Sequence, residues 1–212
     1  MSIQVEWLGR VEYSQGLALQ TQTLEKYLAG EGPEKVLILE HEPVYTIGRT
    51  RNQESLREPQ ALPYPVFETN RGGQATWHGP GQLVAYPILD LQERGRDLHK
   101  YMRFLEEIII LTCAACGAPS GRQGGLTGVW CGERKIASIG VGVRRWVTMH
   151  GLALNVTNET QAAFAHIIPC GIANVEMTNL EKETGRLNSV ESVGQTLAAL
   201  LLQHLPGIKD QP

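Results

Sequence analysis

The chain has 212 residues, 42% of them hydrophobic, which is enough for one sizeable α/β core and short for two domains. Its formal charge of −3 excludes the strongly basic face that neutralises a phosphate backbone, so no nucleic-acid partner is expected. Four cysteines in a chain of this size exclude a disulfide scaffold and suit a reducing cytoplasm.

In chain order, the opening Met1-Ser2-Ile3-Gln4-Val5-Glu6 lacks the basic and apolar regions of a secretory signal, so a cytoplasmic location is expected. Ile3 to Trp7 alternates as a strand does. Ser14 is a candidate cap for a helix running to about Leu28, which Gly30 stops. Val36 to Leu39 and Val44 to Ile47 read as strands around Pro43, and a polar loop from Arg49 to Ala61 follows. The clearest helix spans Asp97 to Cys116, where Leu98, Tyr101, Leu105, Ile108, Ile109 and Thr112 recur at helical spacing before Gly117 and Pro119. Its apolar run from Ile108 to Cys116 is too short to cross a bilayer, so no membrane partner is expected. Lys135 to Val143 and Val147 to Val156 are β-rich, and the short joint Arg144-Arg145-Trp146 predicts an antiparallel hairpin. The last helix starts at Asn188 or Ser189 and buries Val193, Leu197, Leu200 and Leu201. Neither a repeat nor a linker divides the chain. Strands joined by short links predict an α+β fold over residues 1–212: a mixed, largely antiparallel sheet with helices on one side.

The segment Ile167-Ile168-Pro169-Cys170-Gly171-Ile172 holds a cysteine in a rigid turn. Pro169 fixes its own φ and biases Ile168 toward extended backbone, while Gly171 leaves room for a bulky acyl group at the sulfur. Taken alone, the plainer reading is a small buried hydrophobe in a Pro-Gly turn. The stretch from Arg71 to Gln82 packs four glycines and a proline into twelve residues, with Arg71, Thr76, His78 and Gln82 as its polar groups. No Gly-Lys-Ser/Thr closes it, so it is not a phosphate loop. Such a loop lets backbone N–H groups face a ligand, and Arg71 adds a fork of donors; a long hairpin turn with incidental polar residues is the plainer alternative.

Lys135 opens the apolar strand Ile136-Ala137-Ser138-Ile139-Gly140. A lysine at a hairpin mouth is usually solvated, but burial on this strand would make it usable as a base. Cys113-Ala114-Ala115-Cys116 is a C-x-x-C string on the apolar stripe of a helix near its C-terminal end. Core packing is therefore expected there, and no metal site. His150 heads Gly151-Leu152-Ala153 and either shares a cavity with His78 or is an ordinary strand residue.

Taken together, these segments resemble the lipoyl(octanoyl) transferase family. The matching stretches are Glu40-His41-Glu42-Pro43-Val44-Tyr45-Thr46-Ile47-Gly48-Arg49, Arg71 to Asp90, Thr127-Gly128-Val129-Trp130 continuing to Lys135-Ile136-Ala137, His150 to Val156, and Pro169-Cys170-Gly171. The resemblance implies the fold shared with biotin and lipoate protein ligases, together with an acyl cavity. It implies transfer of octanoyl from acyl carrier protein, through a thioester on the enzyme, to a lysine of a lipoyl domain. The acceptors implied are lipoyl domains of 2-oxoacid dehydrogenase complexes or the glycine cleavage H protein, and no cofactor is implied. Cys170 falls on the family's nucleophile and Lys135 on its acid/base. Arg71, Gly72, Gly73, Thr76, His78, Gly79 and Tyr86 fall on the substrate pocket, as do Ser138, Ile139, Gly140, His150, Gly151, Leu152 and Ala153.

Backbone N–H groups of the Gly72-Gly73 turn and near Gly171 are candidate oxyanion donors. Within residues 121–145, Arg122, Arg134, Lys135, Arg144 and Arg145 stand against Glu133 alone, which predicts that this region forms part of the docking surface for an acidic carrier. Two departures from the family pattern lie beside the cysteine segment. Asn179 stands where a serine is expected, and Asn158-Glu159-Thr160 replaces an acidic-leucine pair. Three rival readings remain: an ATP-dependent lipoate-protein ligase, which has no use for Cys170; a non-catalytic module binding acyl or lipoyl domains; and a thioesterase.

Overall fold

The computed structural model describes residues 3–50, 55–56, 59–168 and 175–211. Strands β1 (Gln4–Val11) and β2 (Lys35–His41) pair in parallel, with helix α1 (Tyr13–Leu28) as their crossover. Strand β3 (Val44–Ile47) leaves for a small sheet, ordered β4-β3-β5, with β4 (Val66–Glu68) and β5 (Thr76–His78). The chain returns as β6 (Gln82–Ile88), α2 (Leu98–Ala115), β7 (Val129–Cys131), β8 (Arg134–Arg144) and β9 (Val147–Asn155), then closes with α3 (Leu180–Thr184) and α4 (Val190–His204). The main sheet runs β1-β2-β6-β9-β8-β7, and every pairing after β1–β2 is antiparallel. This is the expected mixed, largely antiparallel architecture.

Alternation along the central strands sorts side chains to two faces. Val36, Ile38, Leu83, Ala85 and Leu154 pack with Phe104, Ile108, Leu197 and Leu201 of α2 and α4. Leu37, Leu39, Val84, Tyr86 and Ala153 pack on the other face with Leu24 and Tyr27 of α1. The expectation of helices on one side is therefore corrected: α1 covers the second face, because a parallel β1–β2 pair needs its crossover helix on the sheet.

Asp97 caps α2 by accepting the N–H groups of His99 and Lys100, and Ser189 caps α4 through Ser192. Ser14 does not cap α1. The helix has already begun at Tyr13, which is buried, with Glu12 in the cap position. Leu200 is only half-buried, because the stripe of α4 runs through Val190, Val193, Gly194, Leu197, Ala198 and Leu201.

Strand β6 gives no alternating signal, since all seven of its residues are buried beneath elements on both faces. Its Pro87 cannot donate to a ladder. The β6–β9 pairing accordingly runs from Gln82–Asn155 to Ala85–Leu152 and resumes at Asp90–Val147. Within the lapse, His150 adopts φ 56°, unusual for a side chain other than glycine. A Cβ on Gly151 would stand 2.3 Å from the Ala85 carbonyl oxygen and 2.7 Å from Pro87 Cδ, so only glycine lets the strands approach here.

Candidate active site

A cleft opens between the glycine-rich loop, the middle of strands β6, β8 and β9, and the start of α1. Arg71, Gly73, Thr76 and His78 line it from the loop and β5, and Tyr86 from β6. Ser138, Ile139 and Gly140 line it from β8, and His150, Gly151, Leu152 and Ala153 from β9. His150 thus shares the cavity with His78. Gly72 and Gly79 do not line the cleft. The Gly72 N–H donates to the Val141 carbonyl at 2.9 Å, and Gly79 lies against the Trp77 ring. That bond also removes Gly72 from the candidate oxyanion donors.

Tyr13 and Gln74 line the cleft without having been anticipated. The supports behind the wall were not anticipated either. Gln20, fully buried on α1, accepts the His150 N–H at 2.7 Å. Single buried polar residues on an otherwise amphipathic helix carry no pattern of their own. His41 and Gln82 had stood within the quoted motifs.

Arg71 spends its guanidinium on the protein. Its Nη1 donates to the Gly72 carbonyl at 2.9 Å, and Nη2 to the Thr46 carbonyl, the Thr46 hydroxyl and the Gln74 carbonyl, each at 2.8 Å. It therefore clamps the glycine turn onto β3 and places a fixed positive charge at the cleft wall, rather than presenting an empty fork.

Around it stands a cluster of rings: Tyr13, His41, His78, Tyr86 and His150, with neighbouring centroids 5.1 to 6.3 Å apart. His41 Nδ1 faces the Val11 carbonyl at 3.0 Å and so carries the proton; Nε2 accepts from the Tyr86 hydroxyl at 2.7 Å. Burial pushes His41 down to about 4, opposed by the bond to Val11. Burial, then the Arg71 charge, pushes His150 down to about 4 as well. His78 falls well below its usual value through burial, the neighbouring His41 and Arg71. Burial also lifts Tyr86 well above the phenol range and Tyr13 to about 12, the latter opposed by Arg71. At neutral pH these rings are all uncharged. They form a polar but neutral wall beside the apolar Ile139, Leu152 and Ala153.

A chain of hydrogen bonds leads from that wall into the molecule. His78 Nδ1–H donates to Gln82 Oε1 at 2.7 Å, Gln82 Nε2 donates to Asn155 Oδ1 at 2.9 Å, and Asn155 Nδ2 donates to the Thr178 carbonyl at 2.9 Å. Thr178 N–H in turn donates to the Lys135 carbonyl at 2.9 Å, and Lys135 N–H to the Glu176 carbonyl at 2.8 Å. Residues 176–178 are thereby fixed alongside the start of β8.

Lys135 is fully buried, not solvated, and lies on the strand that supplies Ser138 to Gly140. Its Nζ donates to the Thr127 carbonyl at 3.1 Å and stands 5.4 Å over the Trp130 ring. It does not itself line the cleft. Nearby, Ile168 N–H donates to the Ser55 carbonyl at 2.8 Å, while Ile167 and Met177 share a small core with Trp77 and Phe164. Pro169, Cys170 and Gly171 lie outside the described residues. Cys113 is buried and burial pushes it up to about 12, which suits packing and not reactivity.

The two departures from the family pattern meet. Asn179 caps α3 by accepting the Lys182 N–H at 2.8 Å, and its Nδ2 donates to Asn158 Oδ1 at 3.2 Å. The basic surface is corrected: Arg134 is paired with Glu183, Arg122 with Glu106 and Glu107, and Lys135 is buried. The sequence count missed acids brought in by α2 and α3. Arg144 and Arg145 remain at the hairpin tip beside the exposed Trp146, with Arg144 3.4 Å from Glu25.

The family model of the lipoyl protein ligase A/B catalytic domain matches residues 12–201, so this chain, with its ring-lined cleft on a mixed sheet, belongs to that family. Among relatives, an octanoyltransferase of Geobacter sulfurreducens is 50% identical over 91% of this chain and 80% of its own length. An octanoyltransferase of Geobacter metallireducens is 50% identical over 94% of this chain and 93% of its own. The fold is also that of a bipartite lipoate protein ligase from Thermoplasma acidophilum, with TM-score 0.71, 15% identity, and coverage of 97% of this chain and 84% of that one. A biotin protein ligase from Aquifex aeolicus matches with TM-score 0.62 and 14% identity, over 98% of this chain and 72% of its own.

Proposed function

We propose that this chain takes octanoyl from an acyl carrier protein onto Cys170 and passes it to a lysine of a lipoyl domain, with Lys135 moving the protons. The chain is an enzyme, an octanoyl-transferring acyltransferase of protein lipoate attachment. Its acceptors are lipoyl-domain proteins, of 2-oxoacid dehydrogenase complexes or the glycine cleavage system in this reading. The observation that carries the catalytic assignment is the burial of Lys135 between the Thr127 carbonyl and Trp130, with residues 176–178 bonded on either side of its backbone.

In the first half-reaction the Cys170 thiolate attacks the donor's thioester carbonyl. The bond to the carrier's thiol breaks, and the Lys135 ammonium gives that leaving sulfur its proton. In the second, neutral Lys135 takes a proton from the incoming amine as its nitrogen attacks the acyl-enzyme, and the Cys170 thiolate leaves. A free thiol titrates at about 8.5, so in this reading the Lys135 ammonium serves to raise the thiolate fraction. Thioester exchange keeps the acyl group activated between the two carriers. The cleft walls of Ile139, Leu152 and Ala153 suit the fatty chain, whose seven carbons beyond the carbonyl gain roughly 5–6 kcal/mol on burial.

Octanoyl-carrier protein and a lipoyl domain, incubated with the enzyme in the absence of nucleotide, are expected to give octanoylated lipoyl domain. Transfer only from free octanoate with ATP would assign the chain to the ligases instead. Octanoate release without an acceptor would make it a thioesterase.

A further inference from the structure

Helix α2 carries a carboxylate where an amphipathic helix should carry a hydrocarbon. Glu106 is 1% exposed and sits on the stripe between Phe104, Leu105 and Ile108. A carboxylate at such a site is costly unless its oxygens are all engaged. Its Oε2 accepts from Arg103 Nη1 at 2.7 Å and from Arg122 Nε at 3.0 Å, both arginines lying nearer the surface. Its Oε1 accepts the backbone N–H of Gly128 at 3.1 Å.

That last bond connects it to Lys135. The N–H of Gly128 and the carbonyl of Thr127 belong to one peptide unit, planar and with its two ends pointing opposite ways. The carbonyl end accepts from Lys135 Nζ at 3.1 Å. A buried carboxylate and a buried ammonium thus hold the same peptide from its two ends, each polarising it in the sense that strengthens the other bond. The packing allows little alternative: Gly128 has φ 120°, and a Cβ there would stand 2.6 Å from the Ala137 carbonyl oxygen and 2.8 Å from Lys135 Cε. The Thr127–Gly128 peptide is a fitted seat for the lysine, and Glu106 fixes the seat.

We propose that Glu106 is a positioning residue for Lys135, acting through the Thr127–Gly128 peptide. This rests on the reading of Lys135 as the acid/base. Glu106 does not line the cleft.

The test is single-turnover acyl transfer by Glu106→Gln and Glu106→Asp, each in the wild-type and Lys135→Ala backgrounds, alongside thermal unfolding. Glu106→Gln keeps the shape and an acceptor oxygen but removes the charge. It is expected to lower kcat about tenfold, the cost typical of losing an outer support of a reacting group, with KM for both carriers unchanged. Glu106→Asp restores the charge and should recover most of that loss. In the Lys135→Ala background neither substitution should lower the residual rate further. An equal fold-loss in both backgrounds, or a loss expressed in KM, would overturn the proposal. Should Glu106→Gln not fold, the residual loss of Glu106→Asp decides, since its shorter side chain draws the carboxylate back from the Gly128 N–H: a drop in kcat seen with Lys135 present and absent from the Lys135→Ala background supports the proposal, and the same drop in both overturns it. Wild-type rates in Lys135→Ala alone would instead refute the acid/base reading, so the two failures are separable.

Discussion

Lowering the pH is expected to destabilise this fold well before carboxylates titrate, because its cleft wall is built from buried neutral imidazoles. His41 and His150 titrate near 6.5 in an unfolded chain and about 4 here. The unfolded state therefore binds protons between these values that the native state refuses, and stability falls as pH falls. Above pH 6.5 the two states are equally neutral and this source costs nothing; below about 4 both are charged and no more is lost. The full shift corresponds to about 3 kcal/mol per ring, of which about 2 kcal/mol is already gone at pH 5. The two rings together then remove about 4 kcal/mol from a stability that is typically only ~5–15 kcal/mol. Urea unfolding of wild type and His41→Gln at about pH 7.5 and about pH 5 measures the effect. The variant should be the less stable protein at the higher pH, having lost the bonds to Val11 and Tyr86. The gap should narrow by about 2 kcal/mol on acidification, because glutamine does not titrate. A gap independent of pH would refute the assignment of a depressed His41.

The remaining predictions concern catalysis and packing. Lys135→Ala should slow both acylation of the enzyme and transfer to the lipoyl domain in rapid-quench assays; a defect confined to one carrier's KM would remove its acid/base role. Gly151→Ala should cost several kcal/mol of stability in urea unfolding, since its Cβ would meet the Ala85 carbonyl oxygen at 2.3 Å and Pro87 Cδ at 2.7 Å, whereas a loss under about 0.5 kcal/mol would mean the strands yield freely. Reversing Arg144 and Arg145 to Glu should raise KM for the acyl carrier and flatten its salt dependence, and an unchanged KM would place docking elsewhere. Shortening the donor chain from octanoyl to hexanoyl removes two methylenes, about 1.6 kcal/mol, and should lower kcat/KM about 15-fold; equal rates would mean the chain is not buried.

How much of this could be read from the chain follows from where each signal comes from. The α2 stripe, the β8–β9 hairpin and the last helix were legible because one face of each is buried, which leaves periodicity in the sequence. Strand β6 was not, since burial on both faces erases alternation. The helix on the second face was misplaced for a related reason: nothing in β1 or β2 announces that they pair in parallel. The cleft-lining residues of the glycine-rich loop and of β9 carry unusual composition at close spacing and could be named. Their supports could not. Gln20, Asn155 and Glu106 are polar residues at core positions, visible as functional only once their partners, far away in sequence, stand beside them. The basic surface failed in the same way, because Glu106, Glu107 and Glu183 reach their arginines across 15 to 49 residues.

The account turns on an acyl group resting on one sulfur that the buried lysine serves. Intact-mass spectrometry after brief incubation with octanoyl-carrier protein, with no acceptor present, reads this directly. Wild type is expected to gain the mass of a single octanoyl group, removable by hydroxylamine, and Cys170→Ala to gain none. An acyl adduct that survives Cys170→Ala, or a wild-type enzyme that transfers octanoyl without ever carrying it, would contradict the account.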